Sequence, residues 1–315
     1  MGFDALLGNR QLKENLLGSI ARGSISHFYL IAGPKGSGKM TLARLLSAAI
    51  LCQGEKKPCM ACTACRKVMA DTHPDLITVR DPDHKTVPVR VIREVREEMF
   101  VRPNEADKKI YLLPQEMGIE GQNALLKILE EPPKHGVFML LTDNEESLLP
   151  TVRSRCTLLR MQSLEQEELR SALMKEFPGA SKEALDGAIW RSGGFLGQAK
   201  VFLAEGAAYN EQTKAFVESF GKKDPLGLLQ LMMSMERWKR DDLCDVLSQW
   251  VQLLQQAILS RSGLPVLPGD ARVLASARSP QDLKKAITEL KKMIEYLQGN
   301  VSPAAVCGYL MFALR

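Results

Sequence analysis

Aromatic residues are scarce, 6% of the 315 positions, and no apolar run approaches the roughly 20 residues that a helical membrane span needs. Charge of one sign is lacking too. Lys and Arg number 42 against 37 Asp and Glu, which leaves a formal net charge of +5. A balance that mild permits a nucleic-acid or acidic partner without arguing for one. No basic stretch interleaved with aromatics suggests a stand-alone nucleic-acid binder, and no internal repeat or low-complexity tract is evident. The opening residues, MGFDALLGNRQLK, show no basic-then-apolar leader pattern, so the expected location is the cytoplasm. What remains is an ordinary globular composition, 45% hydrophobic and 25% charged, at a length that allows two or three domains.

Cysteine is the unusual entry in that composition. There are seven, and Cys52, Cys59, Cys62 and Cys65 fall within fourteen residues. In a reducing compartment, clustered thiols point to metal before disulfides. Zinc favours a tetrahedron of thiolates, and thiols two residues apart can wrap one ion with little strain. A closed four-thiolate shell leaves no position for water, so such a site is structural, with one zinc per chain. Iron–sulfur ligation fits the ligand type, but no redox-partner motif accompanies it. His73 is an alternative fourth ligand. Cys156, Cys244 and Cys307 are isolated and read as buried small residues.

Short apolar runs alternate with helical patterns through the first 160 residues. Strands are expected at His27–Gly33, Asp75–Arg80, Lys109–Pro114 and Gly136–Thr142. Helices are expected at about Gly38–Leu51, Val91–Phe100 and Asn123–Glu131. Continuous apolar strands separated by helices make a parallel sheet covered on both faces, an α/β fold. After Ser163 the strand signals stop. Short helices are expected to about residue 205, then helix from Tyr209 to the end apart from the Pro/Gly-rich stretch Ser262–Asp270. Leu283, Ile287, Leu290, Ile294 and Leu297 mark one helix face, either a core face or an oligomer contact. The expected domains are 1–163 with a metal module at 52–65, then 164–207 and 208–315.

Gly33-Pro34-Lys35-Gly36-Ser37-Gly38-Lys39 lies between a predicted strand and a predicted helix, where a phosphate loop must sit. Glycines let backbone N–H groups converge on phosphate oxygens, the helix N-terminus adds positive potential, and Lys39 supplies a point charge. The next residue should be Ser or Thr, whose hydroxyl coordinates magnesium; here it is Met40. A thioether is a poor ligand for a hard cation, and Thr41 lies about 100° further round the helix. The strand Ile110–Leu113 should end in a magnesium-organising and a water-activating carboxylate, but Pro114 and Gln115 stand there, with Glu116 out of register. The loop is expected to hold phosphate but not magnesium. No ATP hydrolysis is expected, and whether a nucleotide binds is left open.

These residues together resemble the AAA+ clamp-loader subunits of bacterial DNA polymerase III. The resemblance rests on the phosphate loop closely followed by the four-cysteine insert and on Asn123-Ala124-Leu125-Leu126-Lys127-Ile128-Leu129-Glu130-Glu131-Pro132-Pro133. It rests also on Ser154-Arg155-Cys156, on His27 and on Leu7-Gly8-Asn9. It is strong over residues 3–160, weaker through the small helical domain and only architectural beyond about 208. The resemblance implies an AAA+ α/β domain, a small helical lid domain and an all-α C-terminal collar. It implies homologous motor and delta-type subunits as partners in a hetero-oligomer, a sliding clamp, and primed DNA reached through the complex. It implies replication as the function. The altered nucleotide positions, with Gly197 where an ATP-sensing arginine is expected, imply a non-motor member. Arg155 would then act as an arginine finger on a neighbour's ATP, with Ser154 shaping its approach. A guanidinium stays charged at cellular pH and offers planar donors to phosphate. The rival readings are an active motor-type ATPase and a zinc-containing DNA-binding regulator.

Overall fold

The computed structural model describes residues 2–84, 86–204, 210–261, 269–299 and 301–315. The expected 207/208 domain boundary, Tyr209 and most of the Pro/Gly-rich stretch lie outside the described residues. Two compact units are present: residues 1–179 with 192–201, and residues 180–191 with 202–315.

The first unit begins with α1 (Arg10–Ala21), β1 (Phe28–Ala32), α2 (Lys39–Leu51), α3 (Thr63–Met69), β2 (Leu76–Thr78) and α4 (Val89–Glu98). It continues with β3 (Lys109–Leu113), α5 (Ile119–Glu130), β4 (Gly136–Thr142), α6 (Pro150–Arg153), β5 (Thr157–Arg160) and α7 (Gln166–Glu176). All strand pairs are parallel, in the order β2-β3-β4-β1-β5. Side chains alternate across the sheet. Tyr29, Ile31, Ile110, Leu112, Met139 and Leu141 pack with Leu42, Leu45 and Leu46 of α2, whereas Phe28, Leu30, Tyr111, Leu113 and Leu140 pack with Ile92, Val95, Leu125 and Ile128 of α4 and α5. Continuous apolar strands are what burial on both faces demands.

Three of the scarce aromatics form a ladder on the second face. Phe28, Phe138 and Tyr111 stand in register on β1, β4 and β3, with stacked rings 4.8 and 4.9 Å apart. Each stacked pair contributes about 0.5–1.5 kcal/mol beyond its area.

The second unit is helical: α8 (Lys182–Arg191), then, after α9 (Leu196–Ala204), α10 (Glu211–Gly221), α11 (Pro225–Met235) and α12 (Arg240–Arg261). It closes with α13 (Gly269–Ala277), α14 (Pro280–Gln298) and α15 (Pro303–Ala313). A capping box of Ser279 and Asp282 starts α14. Leu283, Leu290 and Leu297 are buried in this unit's core, and Ile287 and Ile294 pack against it, so the stripe is a core face. Trp250 stacks on Phe216 at 4.2 Å and donates its indole N–H to Thr213 Oγ1 at 3.1 Å.

The expected strands and α2 are present. Four elements add to the sequence reading, α1, α3, α6 and β5, and α5 starts at Ile119 rather than Asn123.

Candidate functional site

The phosphate loop turns from β1 into α2. Gly36 and Gly38 adopt φ of 73° and 92°, the left-handed region that only glycine enters without strain. Lys39 then folds back. Its ammonium donates to the carbonyls of Gly33 (2.5 Å) and Pro34 (2.9 Å) and to Asp143 Oδ1 (2.7 Å), which uses all three of its protons. A cavity of about 480 Å³ opens beside the loop. Lys35, Gly36, Ser37, Gly38, Lys39, Met40 and Thr41 line it, joined by Leu6, Asn9, Pro114, Asp143, Phe195, Gly197 and Lys200. Gly33 and Pro34 contribute carbonyls to Lys39 rather than cavity wall.

The magnesium-organising positions are put to other uses. Met40 packs against the apolar core beneath the loop. Gln115 accepts from the Asp81 amide at 2.9 Å and donates to the carbonyls of Asp81 and His84, so it pins the 81–84 loop. Glu116 is exposed and does not line the cavity. β4 lies between β1 and β3, which brings the Asp143 carboxylate to Lys39, while the end of β3 contributes Pro114 to the cavity wall. Asp143 is the one carboxylate among the described residues lining the cavity.

Two contacts here join residues far apart in sequence, and the sequence reading did not find them. One is Lys39 with Asp143. The other is Gly36 with Gly197 at the start of α9: the Gly197 amide donates to the Gly36 carbonyl at 2.9 Å. Gly197 therefore closes the cavity by backbone contact. A paired Gly on each side was the available signal, but only the sheet order and the turn after Ser192 bring them together.

Arg155 follows α6 and is exposed. Its guanidinium donates to the Thr151 carbonyl at 3.1 Å and pairs with Glu130 at 3.3 Å. Ser154 Oγ donates to the same carbonyl at 3.2 Å, so one peptide oxygen orients both side chains. An exposed pair of this kind is worth about 0–1 kcal/mol and yields readily to a stronger anion. Arg153, by contrast, is half-buried.

The four thiols meet where α2 ends and α3 begins. Their sulfurs all lie within 4.8 Å of one another, and Cys52 and Cys62 are 4.0 Å apart. Zinc–thiolate bonds of about 2.3 Å require sulfurs about 3.8 Å apart, so the cluster fits a tetrahedral ion. Backbone amides of Gly54 and Cys59 donate to Cys52 Sγ, that of Cys62 to Cys59 Sγ and that of Cys65 to Cys62 Sγ, at 3.3 to 3.4 Å. Such N–H···S contacts stabilise thiolate. Burial works against ionisation of Cys62, but the amides of Cys65 and Gln53 outweigh it and hold its pKa at about 6. Burial pushes Cys52 and Cys65 upward. These four residues can hold a metal ion such as zinc. His73 is not among them: its Nδ1 accepts from the Asp75 amide at 3.1 Å. Cys307 is buried, and Cys156 and Cys244 are half-buried.

A five-stranded parallel sheet with a phosphate loop between β1 and α2, followed by helical segments, is the architecture of an AAA+-type α/β protein. The family model described as DNA polymerase III, delta subunit, matches residues 8–165, and the chain belongs to that family. Among curated proteins, the DNA polymerase III subunit delta' of Bacillus subtilis is 35% identical over 164 residues, covering 51% of this chain and 50% of that one. The DNA polymerase III subunit gamma of Buchnera aphidicola subsp. Schizaphis graminum is 32% identical over 171 residues, covering 53% and 47%. The chain thus spans about half the length of the curated relatives it matches. A solved gamma subunit-related protein of Thermotoga maritima aligns over 97% of this chain and 98% of its own, with 18% identity and a TM-score of 0.47. Among the described residues no helix is long and apolar enough to cross a membrane.

Proposed function

We propose that this chain is a delta-prime-type subunit of a cytoplasmic bacterial clamp loader, one that assembles with homologous motor and delta-type subunits. In that complex it helps load the sliding clamp onto primed DNA. It does not hydrolyse ATP itself, and it lends Arg155, positioned by Ser154, to a neighbour's active site. Residues 164–207 serve as its lid and 208–315 as its collar, and one structural zinc holds the Cys52–Cys65 module. The observation that carries this reading is the contrast between a disabled loop and an available arginine. Lys39 is occupied by Asp143, Met40 offers a thioether packed against the core, and Gln115 is committed to the 81–84 loop. Arg155 stays at the surface with a single weak ion pair. An arginine used in trans has to be exposed, because charge developing on a transferred phosphoryl group is met by a finger from outside. ATPase assays of the purified chain, alone and with motor subunits, test this: no magnesium-dependent turnover alone, and stimulation on assembly.

A further inference from the structure

A single helical turn does not hold itself together in water, because nucleation fixes more torsions than it gains hydrogen bonds. The four-residue helix α6, which ends two residues before Arg155, is such a turn. What holds it comes from α5. Gln122 of α5 is only 2% exposed. Its Oε1 accepts the Leu149 amide at 2.7 Å, and its Nε2 donates to the carbonyls of Ser147 (3.2 Å) and Met117 (3.1 Å). Leu149 is the N-cap of α6, and its carbonyl accepts the amides of Val152 and Arg153 at 3.0 Å each. Leu148 and Val152 are buried in the same apolar cluster as Leu125, Ile128 and Leu129 of α5. About two turns beyond Gln122, Glu130 pairs with the Arg155 guanidinium itself.

We propose that Gln122 is a positioning residue for Arg155, with Glu130 as a second anchor, so that α5 fixes both the backbone that carries the guanidinium and the guanidinium itself. Filling this space in the core needs only an apolar side chain of similar volume. A buried amide costs free energy unless it is hydrogen-bonded, and both bonds that leave α5 and its own start go to the backbone of 147–149. That segment leads directly into α6, so its register against α5 sets where Arg155 emerges. The guanidinium spends one donor on Thr151 and one on Glu130, which leaves three of its five for phosphate oxygens. A finger held this way arrives at a neighbour's nucleotide already oriented, and orientation is where misplacement is costly. The inference rests on the reading that Arg155 acts on a neighbour's ATP.

The experiment is a double-mutant cycle on ATP turnover by the reconstituted complex. Gln122→Leu, Gln122→Asn and Glu130→Ala are each measured with Arg155 present and with Arg155→Ala. With Arg155 present, the Gln122 variants should lower kcat per assembled complex by about ten- to hundredfold at little change in KM, the scale of a catalytic group displaced by about 1 Å. Glu130→Ala should lower it by about two- to fivefold, the scale of an exposed ion pair. With Arg155→Ala, none of the three should lower kcat further, whereas a merely structural role costs the same in both backgrounds. Hydrogen exchange on the full chain alone should show the amides of 149–155 exchanging faster in the Gln122 variants, with those of β1 and β4 unchanged. If Gln122→Leu does not assemble, Gln122→Asn and Glu130→Ala decide. Unchanged kcat in the Gln122 variants, or an equal loss with and without Arg155, overturns the positioning role while a costly Arg155→Ala leaves the finger standing. A neutral Arg155→Ala overturns the finger and this inference with it.

Discussion

Gly36 and Gly197 meet backbone to backbone, 161 positions apart, with the Gly197 amide donating to the Gly36 carbonyl at 2.9 Å. A β-carbon on Gly197 would lie 2.6 Å from Gly36 Cα, and one on Gly36 would lie 2.4 Å from the Gln198 amide nitrogen. Backbone cannot yield as a flexible side chain does. Gly197→Ala should therefore destabilise the first unit by about 1–3 kcal/mol, the usual range for overpacking. Urea unfolding followed by circular dichroism measures it, and an unchanged midpoint would contradict the contact.

A second prediction concerns pH. The carboxylate of Asp75 accepts the amides of Asn104 (2.6 Å), Glu105 (2.8 Å) and Ala106 (3.0 Å). Burial alone would raise its pKa, but these amides hold it below the ordinary carboxylate value. A group depressed on folding contributes stability that is complete above its unfolded value, about 3.9, and is lost as pH falls through the folded value. Stability from this group should be flat from pH 7 to 5 and decline below about 4. Asp75→Asn should cost about 1–3 kcal/mol at pH 7 and flatten the acid limb. Denaturation midpoints across that range decide it.

The thiol cluster predicts about one zinc per chain, the content of a single tetrahedral site. Elemental analysis of purified protein reads it directly. Cys62→Ser should lower the metal content and the thermal midpoint together. Metal-free protein of undiminished stability would refute the structural-zinc assignment.

Leu290 is fully buried among the helices of the second unit. Leu290→Ala should cost about 2–5 kcal/mol by leaving a cavity. Had the α14 stripe been an oligomer contact, the isolated chain would lose far less, and chemical denaturation separates the two.

The phosphate loop, the thiol cluster and β1 to β4 were legible in the sequence because each is written locally, in glycine spacing, cysteine spacing or a continuous apolar run. β5 was not. Its four residues include only one buried side chain, Leu159, so no apolar run marks it. α3 begins at a cysteine cap, with Cys62 Sγ accepting the Cys65 amide, and metal spacing masked its helical start. The pairing of Lys39 with Asp143 depends on β4 lying between β1 and β3. Strand order is a property of the whole sheet, and no local pattern states it.

Arg155 is proposed to serve a neighbour's ATP while this chain hydrolyses none. The direct measurement is magnesium-dependent ATP turnover by the reconstituted complex containing Arg155→Ala, with incorporation checked by gel filtration. Turnover at the site facing Arg155 should fall by on the order of 10³, the scale of a lost arginine finger, while the variant folds and assembles normally. A normally assembled complex whose turnover is unchanged would contradict the account.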